Sequence, residues 1–307
     1  MAERELIEYI RSLTAEDRPD WLEIGPGDDA ALVETPAGGH LVLTTDMVLE
    51  GVHFEAGTAP ELVGRKAVAR GLSDLAAMAS RPLCILAAVQ FGPGYGEEAQ
   101  RSLAGALVKW GREWSAPLIG GDVAGGAEKL SITVTALGTP GPAGVVRRDG
   151  AQPGDAVCVT GRLGGSRRGR HLNFAPRLQE ALQLVGRCDV YPMIDISDGL
   201  STDALHIADA SGLGVSLRAA DIPVSEDAQA LAVETGKEPL WHALNDGEDY
   251  ELLFCLRPSR AQSLAAEGLE DVGVSLIGEV TEDSGSWLVR PDGEREPLVS
   301  GGWEHRL

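Results

Sequence analysis

Residues 24–54 organise the chain and read IGPGDDAALVETPAGGHLVLTTDMVLEGVHF. Two short apolar runs, residues 30–33 and 41–43, flank a Gly-rich turn, and this pattern predicts a β-hairpin or a pair of neighbouring strands. In an antiparallel pair the first strand begins where the second one ends. The pair Asp28-Asp29 would therefore meet the tripeptide Thr44-Thr45-Asp46 at one edge of the sheet.

Carboxylates gathered in this way repel each other unless cations neutralise them, so the pattern indicates a metal site. The alternative is a pair of turn aspartates beside an unrelated aspartate at a strand end. A further carboxylate, Asp74, lies in the most apolar part of a helix predicted over residues 60–82. A buried carboxylate needs a cation or a hydrogen-bond partner. The alternative to a metal ion at Asp74 is a hydrogen bond to a neighbouring hydroxyl such as Ser73.

More acidic residues follow at predicted strand ends. A short strand after Pro117 ends in Gly120-Gly121 and Asp122. Asp195 and Asp198 are three residues apart across a strand-to-helix turn, a spacing that lets both carboxylates reach one site. Alternatively Asp198 only closes the turn, and Ser201 is the predicted N-cap of the helix that follows.

These carboxylates have no His or Cys near them in the sequence, and such hard oxygen ligands select Mg²⁺, which binds readily when substrate phosphates complete its shell. That chemistry indicates a nucleotide-dependent phosphoryl transfer. The chain contains neither a G-x-x-x-x-G-K-[ST] motif nor the H-R-D and D-F-G set. The P-loop and protein-kinase solutions are therefore excluded.

Composition narrows the class of partner. The 307 residues are 43% apolar and 24% charged, a balance typical of soluble globular proteins. A net charge of −21 argues against nucleic acid or an anionic membrane as the main partner. The four cysteines are widely spaced without a C-x-x-C pair, and no long apolar run occurs at the N-terminus. We therefore expect a cytoplasmic protein with reduced thiols.

The segment 138–154 is rich in Gly and Pro and is the best domain boundary. It predicts an N-terminal domain over residues 1–138 and a C-terminal domain over residues 150–307. The order of strands and helices indicates an α/β layout. The boundary segment carries the basic pair Arg147-Arg148, which is either solvated or a phosphate contact.

Nine motifs, taken together, resemble the thiamine-monophosphate kinase family of the aminoimidazole-ribonucleotide-synthetase-like superfamily. They occur in order over nearly the whole chain: GDDAA (27–31), TTD (44–46), GVHF (51–54), LSDLAAM (72–78), LIGGD (118–122), PGD (153–155), IDISDGL (194–200), GEDYEL (247–252) and GGWEH (301–305).

The resemblance implies a two-domain α/β fold of the α+β type, with an N-terminal mixed sheet that pairs in a homodimer and a C-terminal α/β domain that completes the cleft. It implies ATP and thiamine monophosphate as substrates, and thiamine diphosphate as the product of a direct, Mg²⁺-assisted transfer without a general base. Several Mg²⁺ ions would be held by Asp29, Thr44, Thr45, Asp46, Asp74, Asp122, Asp195 and Asp198, of which Asp46, Asp74 and Asp122 are the most critical.

By the same resemblance, ATP would contact Gly121, Asp122, Arg148 and Ser197, and the thiamine moiety would contact His53, Glu248 and Trp303. Charge and stacking suit Glu248 and Trp303 to a cationic thiazolium and an aminopyrimidine. The chain departs from the family pattern after Gly161, where a few Gly and Arg residues replace a longer segment. The C-terminal domain is therefore expected to lack one helix, with apolar surface left uncovered or covered by a partner.

Three other interpretations stay open. Aminoimidazole ribonucleotide synthetase would close a ring by activating an amide, whereas selenophosphate synthetase would carry a reactive Cys or selenocysteine in a mobile N-terminal segment. The first cysteine here is Cys84, inside a predicted strand, which disfavours the selenium chemistry. A protein that binds metal and nucleotide without turnover is the third.

Overall fold

The computed structural model describes residues 3–16, 18–126, 129–269 and 272–303. In chain order its elements are α1 Glu3–Glu16, β1 Leu22–Ile24, β2 Ala31–Glu34, β3 His40–Leu49, α2 Pro60–Ala77, β4 Ser80–Phe91, α3 Glu97–Glu113, β5 Leu118–Gly125, β6 Ser131–Pro140, β7 Ala156–Thr160, α4 Arg170–Asn173, α5 Leu178–Arg187, β8 Met193–Asp195, α6 Leu200–Ser211, β9 Gly214–Arg218, α7 Glu226–Thr235, α8 Pro239–Asn245, β10 Leu252–Leu256, α9 Pro258–Glu267, β11 Val274–Thr281, β12 Trp287–Val289 and β13 Arg295–Pro297. The strands form two sheets. The first has the order β1-β2-β3-β6-β4-β5 and the second β13-β12-β9-β11-β7-β10-β8.

The predicted hairpin is present as β2 and β3, which pair antiparallel with Ala31 opposite Leu43. Continuing that register places residue 29 opposite residue 45, so the two acidic segments meet at one edge as expected. Val42 and Leu32 are buried on the same core-facing side of the pair. Successive residues of a strand point to opposite faces, so Leu41 and Leu43, which flank Val42, lie on the other face and are only partly buried.

The helix α2 lies between the first sheet and elements of the second half, and it is buried on nearly all sides. It packs on β3, β4 and β6 and also on α4, α5 and β8. Leu72 and Leu75 are fully buried. The helix ends at Ala77, five residues before the predicted boundary, because Ala79 adopts a left-handed φ of 50° and β4 begins at Ser80.

The predicted short strand after Pro117 is wrong in length, since β5 continues through both glycines to Gly125. It pairs in parallel with β4 at the edge of the sheet, with Asp122 opposite Ala88. A Cβ on Gly121 would lie 1.8 Å from the carbonyl oxygen of Ala87, so only glycine fits there. Asp122 therefore lies inside an exposed edge strand and not at a strand end.

The helix α6 begins at Leu200, with Gly199 as its N-cap. The prediction of Ser201 as N-cap is wrong, because the capping acceptor comes from inside the helix. Asp203 accepts hydrogen bonds from the backbone N–H groups of Asp198 and Gly199, at 3.2 and 3.1 Å. Ser201 is buried and donates instead to Asn245 Oδ1.

The segment between β7 and α5 contains a 3-10 turn at Ser166–Arg168 and the four-residue α4. Phe174, just after α4, stacks on Tyr250 with a ring-centroid distance of 3.9 Å. The absence of a helix relative to the family stays a prediction. The four cysteines are free, and three of them are buried. Among the described residues, no helix is long and apolar enough to cross a membrane.

Candidate active site

Three carboxylates from different parts of the chain converge in the cleft between the two sheets. Asp29 precedes β2, Asp74 lies on α2 and Asp195 ends β8. One carboxylate oxygen of each lies within 4.8 Å of the other two. The hairpin, the buried helix and the second sheet thus each contribute one acid, and the structure brings these three predicted metal ligands together.

Each acid of this cluster has a fixed neighbour. Thr44 donates from Oγ1 to Asp74 Oδ2, and Ser73 donates from Oγ to Asp195 Oδ2, both at 2.5 Å. Asp29 accepts two hydrogen bonds from Arg148, at 2.8 Å from Nη2 and 3.1 Å from Nε.

Electrostatics inside the cluster favour a bound cation. Burial, followed by the charges of Asp46, Asp195 and Asp29, raises the pKa of Asp74 well above its usual range. Burial and the neighbouring Asp29 raise the pKa of Asp195 to about 7. Proximity of like charges in a desolvated site is costly unless a cation relieves it. The donor set of carboxylates and a hydroxyl is the one that Mg²⁺ prefers.

Asp46 lies beside this cluster and is paired with Arg70. Arg70 Nη2 lies 3.2 Å from Asp46 Oδ1, and Nη1 donates to the carbonyl oxygen of Met47 at 3.1 Å. Asp46 and Asp74 are close enough for the charge of Asp46 to raise the pKa of Asp74.

The structure does not bring Thr45, Gly121 and Asp122 to the cluster within one chain. Thr45 contacts Thr135 at 3.1 Å between hydroxyl oxygens, on the sheet face opposite the one that carries Asp46. The register aligns Asp46 on β3 with Gly121 on β5, across β6 and β4. Three strand spacings, or about 14 Å, therefore separate the two residues. Asp122, one residue further, points to the open face of the sheet.

A pocket opens next to the acidic cluster and contains all three residues predicted to contact the thiamine moiety. The space between its lining residues, open solvent included, is about 390 Å³. Arg70 contributes to its wall and so connects the pocket to Asp46. Its lining is Val52, His53, Arg70, Arg167, Ser197, Asp198, Asp246, Glu248, Tyr250 and Trp303.

His53 has a defined tautomer in this pocket. The backbone N–H of Leu49 donates to His53 Nδ1 at 3.0 Å. Nδ1 therefore accepts, and the proton of the neutral ring lies on Nε2. His53 can present that N–H to a ligand as a donor.

Arg167 lies across the pocket. Its guanidinium is 5.1 Å from the ring centroid of Trp303, and its Nη2 donates to the carbonyl oxygen of Val52 at 2.9 Å. Asp249 and Asp246 accept from the backbone N–H groups of Gly164 and Gly165, which fixes the loop that carries this arginine.

The comparisons with known proteins identify the family of the chain. The family description AIR synthase related protein matches in two parts, its N-terminal domain over residues 27–139 and its C-terminal domain over residues 161–289. A thiamine-monophosphate kinase of Rhodopirellula baltica is 34% identical over 312 residues, covering 99% of this chain and 97% of the relative. That of Escherichia coli K12 is 34% identical, with 92% of each chain covered. The chain belongs to the thiamine-monophosphate kinase family.

Solved structures of the family have the same fold. AaThiL complexed with AMPPCP and TMP superposes with a TM-score of 0.84 at 30% identity, covering 99% of this chain and 97% of that chain. The thiamine-monophosphate kinase of Stenotrophomonas maltophilia gives a TM-score of 0.72 at 32% identity, with 96% and 98% covered. The hydrogenase maturation protein HypE of Escherichia coli, at 20% identity and a TM-score of 0.73, shares the fold alone.

Sequence reasoning missed several residues of this kinase-family site. Lys66 and Arg70 precede Asp74 on α2 at intervals of four, which places all three on one face of the helix. That spacing could have indicated Lys66 and Arg70 as site residues, because Asp74 on the same helix face was already a candidate metal ligand. Asp203 offers a carboxylate oxygen within 4.8 Å of ligand atoms of Asp198 and His206. No sequence pattern indicated it, because its role as a helix cap depends on the residue at which α6 begins.

Proposed function

We propose that the chain transfers the γ-phosphate of ATP to the phosphate group of thiamine monophosphate, giving thiamine diphosphate and ADP, the last step of thiamine diphosphate biosynthesis. One observation carries this proposal: Arg70 both lines the pocket that contains His53, Glu248 and Trp303 and pairs with Asp46 beside the acidic cluster. A site for an organic cation and a site for metal-bound phosphates thus adjoin.

Mg²⁺ would be held chiefly by Asp29, Asp46, Asp74 and Asp195. Thr44 and Asp198 would be additional ligands. The raised pKa values of Asp74 and Asp195 support this assignment, since they reflect carboxylates that are buried and crowded together without enough positive charge. When bound, Mg²⁺ neutralises the charge of the phosphates that approach one another.

The residues of the chain orient the two substrates. The acceptor is already a phosphate oxygen anion, so no general base is required, and positioning carries the reaction. Trp303 and Glu248 suit the two rings of the acceptor, and His53 lines the same pocket. Arg148 and Ser197 border the cluster and the pocket respectively, where the phosphates of ATP would enter.

A homodimer belongs to the proposal. The open face of the first sheet exposes Met47 and Leu86, at 48% and 37%, and the edge strand β5 exposes Ile119 and Val123. Exposed apolar side chains on a sheet face and edge favour pairing with a second copy. Asp122 lies on this same face, so its predicted role as a metal and ATP ligand requires a partner chain. A cytoplasmic location, expected from the reduced thiols, is proposed as well.

The test is ADP release from the purified protein with ATP and Mg²⁺, comparing thiamine monophosphate, thiamine and no acceptor, with products separated by chromatography. We expect release that depends on thiamine monophosphate, with thiamine diphosphate as product. ATP binding without release in any of the three mixtures would contradict the proposal and favour a binding protein without turnover.

A further inference from the structure

Lys66 is a buried cation that contacts two residues of the pocket lining, His53 and Glu248. Its side chain is fully buried on α2, and its Nζ donates to the backbone oxygen of His53 at 2.6 Å and to Glu248 Oε1 at 2.5 Å. An ammonium group out of water is costly unless it is paired and hydrogen-bonded. Here both partners belong to the pocket, one from each half of the chain.

The two oxygens of the Glu248 carboxylate differ in their surroundings. Oε1 is occupied by Lys66, whereas Oε2 is buried and has no hydrogen-bond partner among the described residues. Arg167 Nε lies 3.9 Å from Oε2, beyond hydrogen-bond distance. A buried acceptor without a donor is unfavourable, so Oε2 is placed for a donor that the protein does not itself supply.

The backbone around Glu248 is held in an unusual conformation. Glu248 has a left-handed φ of 54°, and its N–H donates to the carbonyl oxygen of Ser197 at 2.7 Å. Ser166 holds the preceding residue by donating from Oγ to the Gly247 oxygen at 2.6 Å. Left-handed non-glycine residues persist only where their surroundings enforce them, and they cluster at ligand sites. These contacts hold the backbone of Glu248, and the hydrogen bond from Lys66 holds its side chain.

We infer that Lys66 is a positioning residue, which fixes Glu248 so that Oε2 accepts a hydrogen bond from the exocyclic amino group of the pyrimidine ring of the substrate. The inference rests on the proposed function. In thiamine monophosphate that amino group is the N–H donor, because the ring nitrogens only accept and the thiazolium nitrogen carries no hydrogen. Glu248 thereby reads the pyrimidine ring, while its charge is balanced by Lys66 and not by the thiazolium.

The experiment compares thiamine monophosphate with its 4-oxo analogue, in which a carbonyl oxygen replaces the amino group. Calorimetric Kd values are measured without ATP, and KM and kcat with it. We expect the protein to bind the oxo analogue at least about tenfold more weakly, because its oxygen faces Oε2. Glu248→Gln should reduce this ratio to within about threefold of one, because an amide can donate as well as accept.

Lys66→Met tests the positioning itself, with Lys237→Met at an exposed lysine as the matched control. We expect Lys66→Met to raise KM for thiamine monophosphate and to lose the discrimination, with KM for ATP unchanged. The double variant Lys66→Met/Glu248→Gln removes both charges of the pair. It should recover the melting temperature lost in Lys66→Met without recovering the discrimination.

Three outcomes separate the inference from the proposed function. No turnover of thiamine monophosphate by the unmodified protein would overturn the proposed function. Turnover with equal Kd values for the amino and oxo compounds would overturn the inference alone. Discrimination retained in a folded Lys66→Met variant would show that Glu248 is positioned without Lys66 and would also overturn it.

Discussion

Arg148 donates two hydrogen bonds to Asp29, to Oδ1 at 2.8 Å and to Oδ2 at 3.1 Å, and so connects the segment between the two sheets to the acidic hairpin. The carboxylate of Asp29 is almost fully buried, with 1% of its side chain exposed. The guanidinium is thus the protein's own counter-ion within the acidic cluster.

Replacing Arg148 by Gln should destabilise the metal-free protein by about 3 kcal/mol, because a buried carboxylate loses its partner beside two others. Stabilisation by added Mg²⁺ should increase, since the cation then supplies the missing charge. Denaturant unfolding with EDTA or Mg²⁺ measures both effects. Arg101→Gln is the matched control, because that side chain is exposed and pairs with the surface residue Glu97. Equal Mg²⁺ stabilisation in the two variants would contradict the assignment of Asp29.

Asp74→Asn should separate stability from activity. Burial, followed by the charges of Asp46 and Asp195, makes the ionised carboxylate of Asp74 costly, so its removal should stabilise the metal-free protein by about 1 kcal/mol or more. Turnover should fall by at least about a hundredfold, because a metal ligand is lost. Asp46→Asn should also abolish turnover without this gain in stability, since it leaves Arg70 unpaired. Near-normal activity in both variants would disprove the metal assignment, and Asp292→Asn on an exposed turn controls for charge.

Two apolar runs around a Gly-rich turn predicted the hairpin, and an Ala-rich pattern between two prolines predicted the buried helix. The resemblance to the family implied that Asp29, Asp74 and Asp195 share one metal site. The sequence could not place Asp122. Whether Gly120-Gly121 ends a strand or continues it along the edge of a sheet depends on the close approach of Ala87, which is a tertiary contact. The role of Lys66 was equally hidden, since its partner Glu248 is 182 residues away in the chain.

Leu86→Glu should disrupt the proposed dimer. Leu86 and Met47 are exposed on the open face of the first sheet, and a charge there would be desolvated on pairing. Sedimentation velocity should show a monomer, and turnover should fall with it because Asp122 depends on the partner. Val233→Glu on the exposed side of α7 is the control and should leave both unchanged. A fully active Leu86→Glu monomer would show that one chain contains the complete site.

Substrate affinity should depend on pH through Lys66. Burial lowers the pKa of Lys66 to about 8; Glu248 acts in the opposite direction, and Arg70 and Arg167 lower it further. His171 also faces this group. Below about pH 8 the ammonium is present and holds Glu248. As the pH rises through that value, the pair is lost, and KM for thiamine monophosphate should rise by up to about tenfold per pH unit. Lys66→Met should have a high KM that does not change over this range, whereas the same pH dependence in that variant would assign it to another group.

Arg167→Gln should lower KM for thiamine monophosphate. The guanidinium occupies the face of Trp303 at 5.1 Å and approaches Glu248 Oε2 to 3.9 Å, so a cationic ring must displace it or tolerate its charge. A cation–π contact of this kind contributes about 0.5–1 kcal/mol, which predicts that KM falls about two- to fivefold. Arg168→Gln is the matched control, because Arg168 pairs with Glu234 at the surface. A rise in KM in Arg167→Gln alone would instead mean that Arg167 binds the phosphate of the acceptor, and the pocket would then recognise both ends of the substrate.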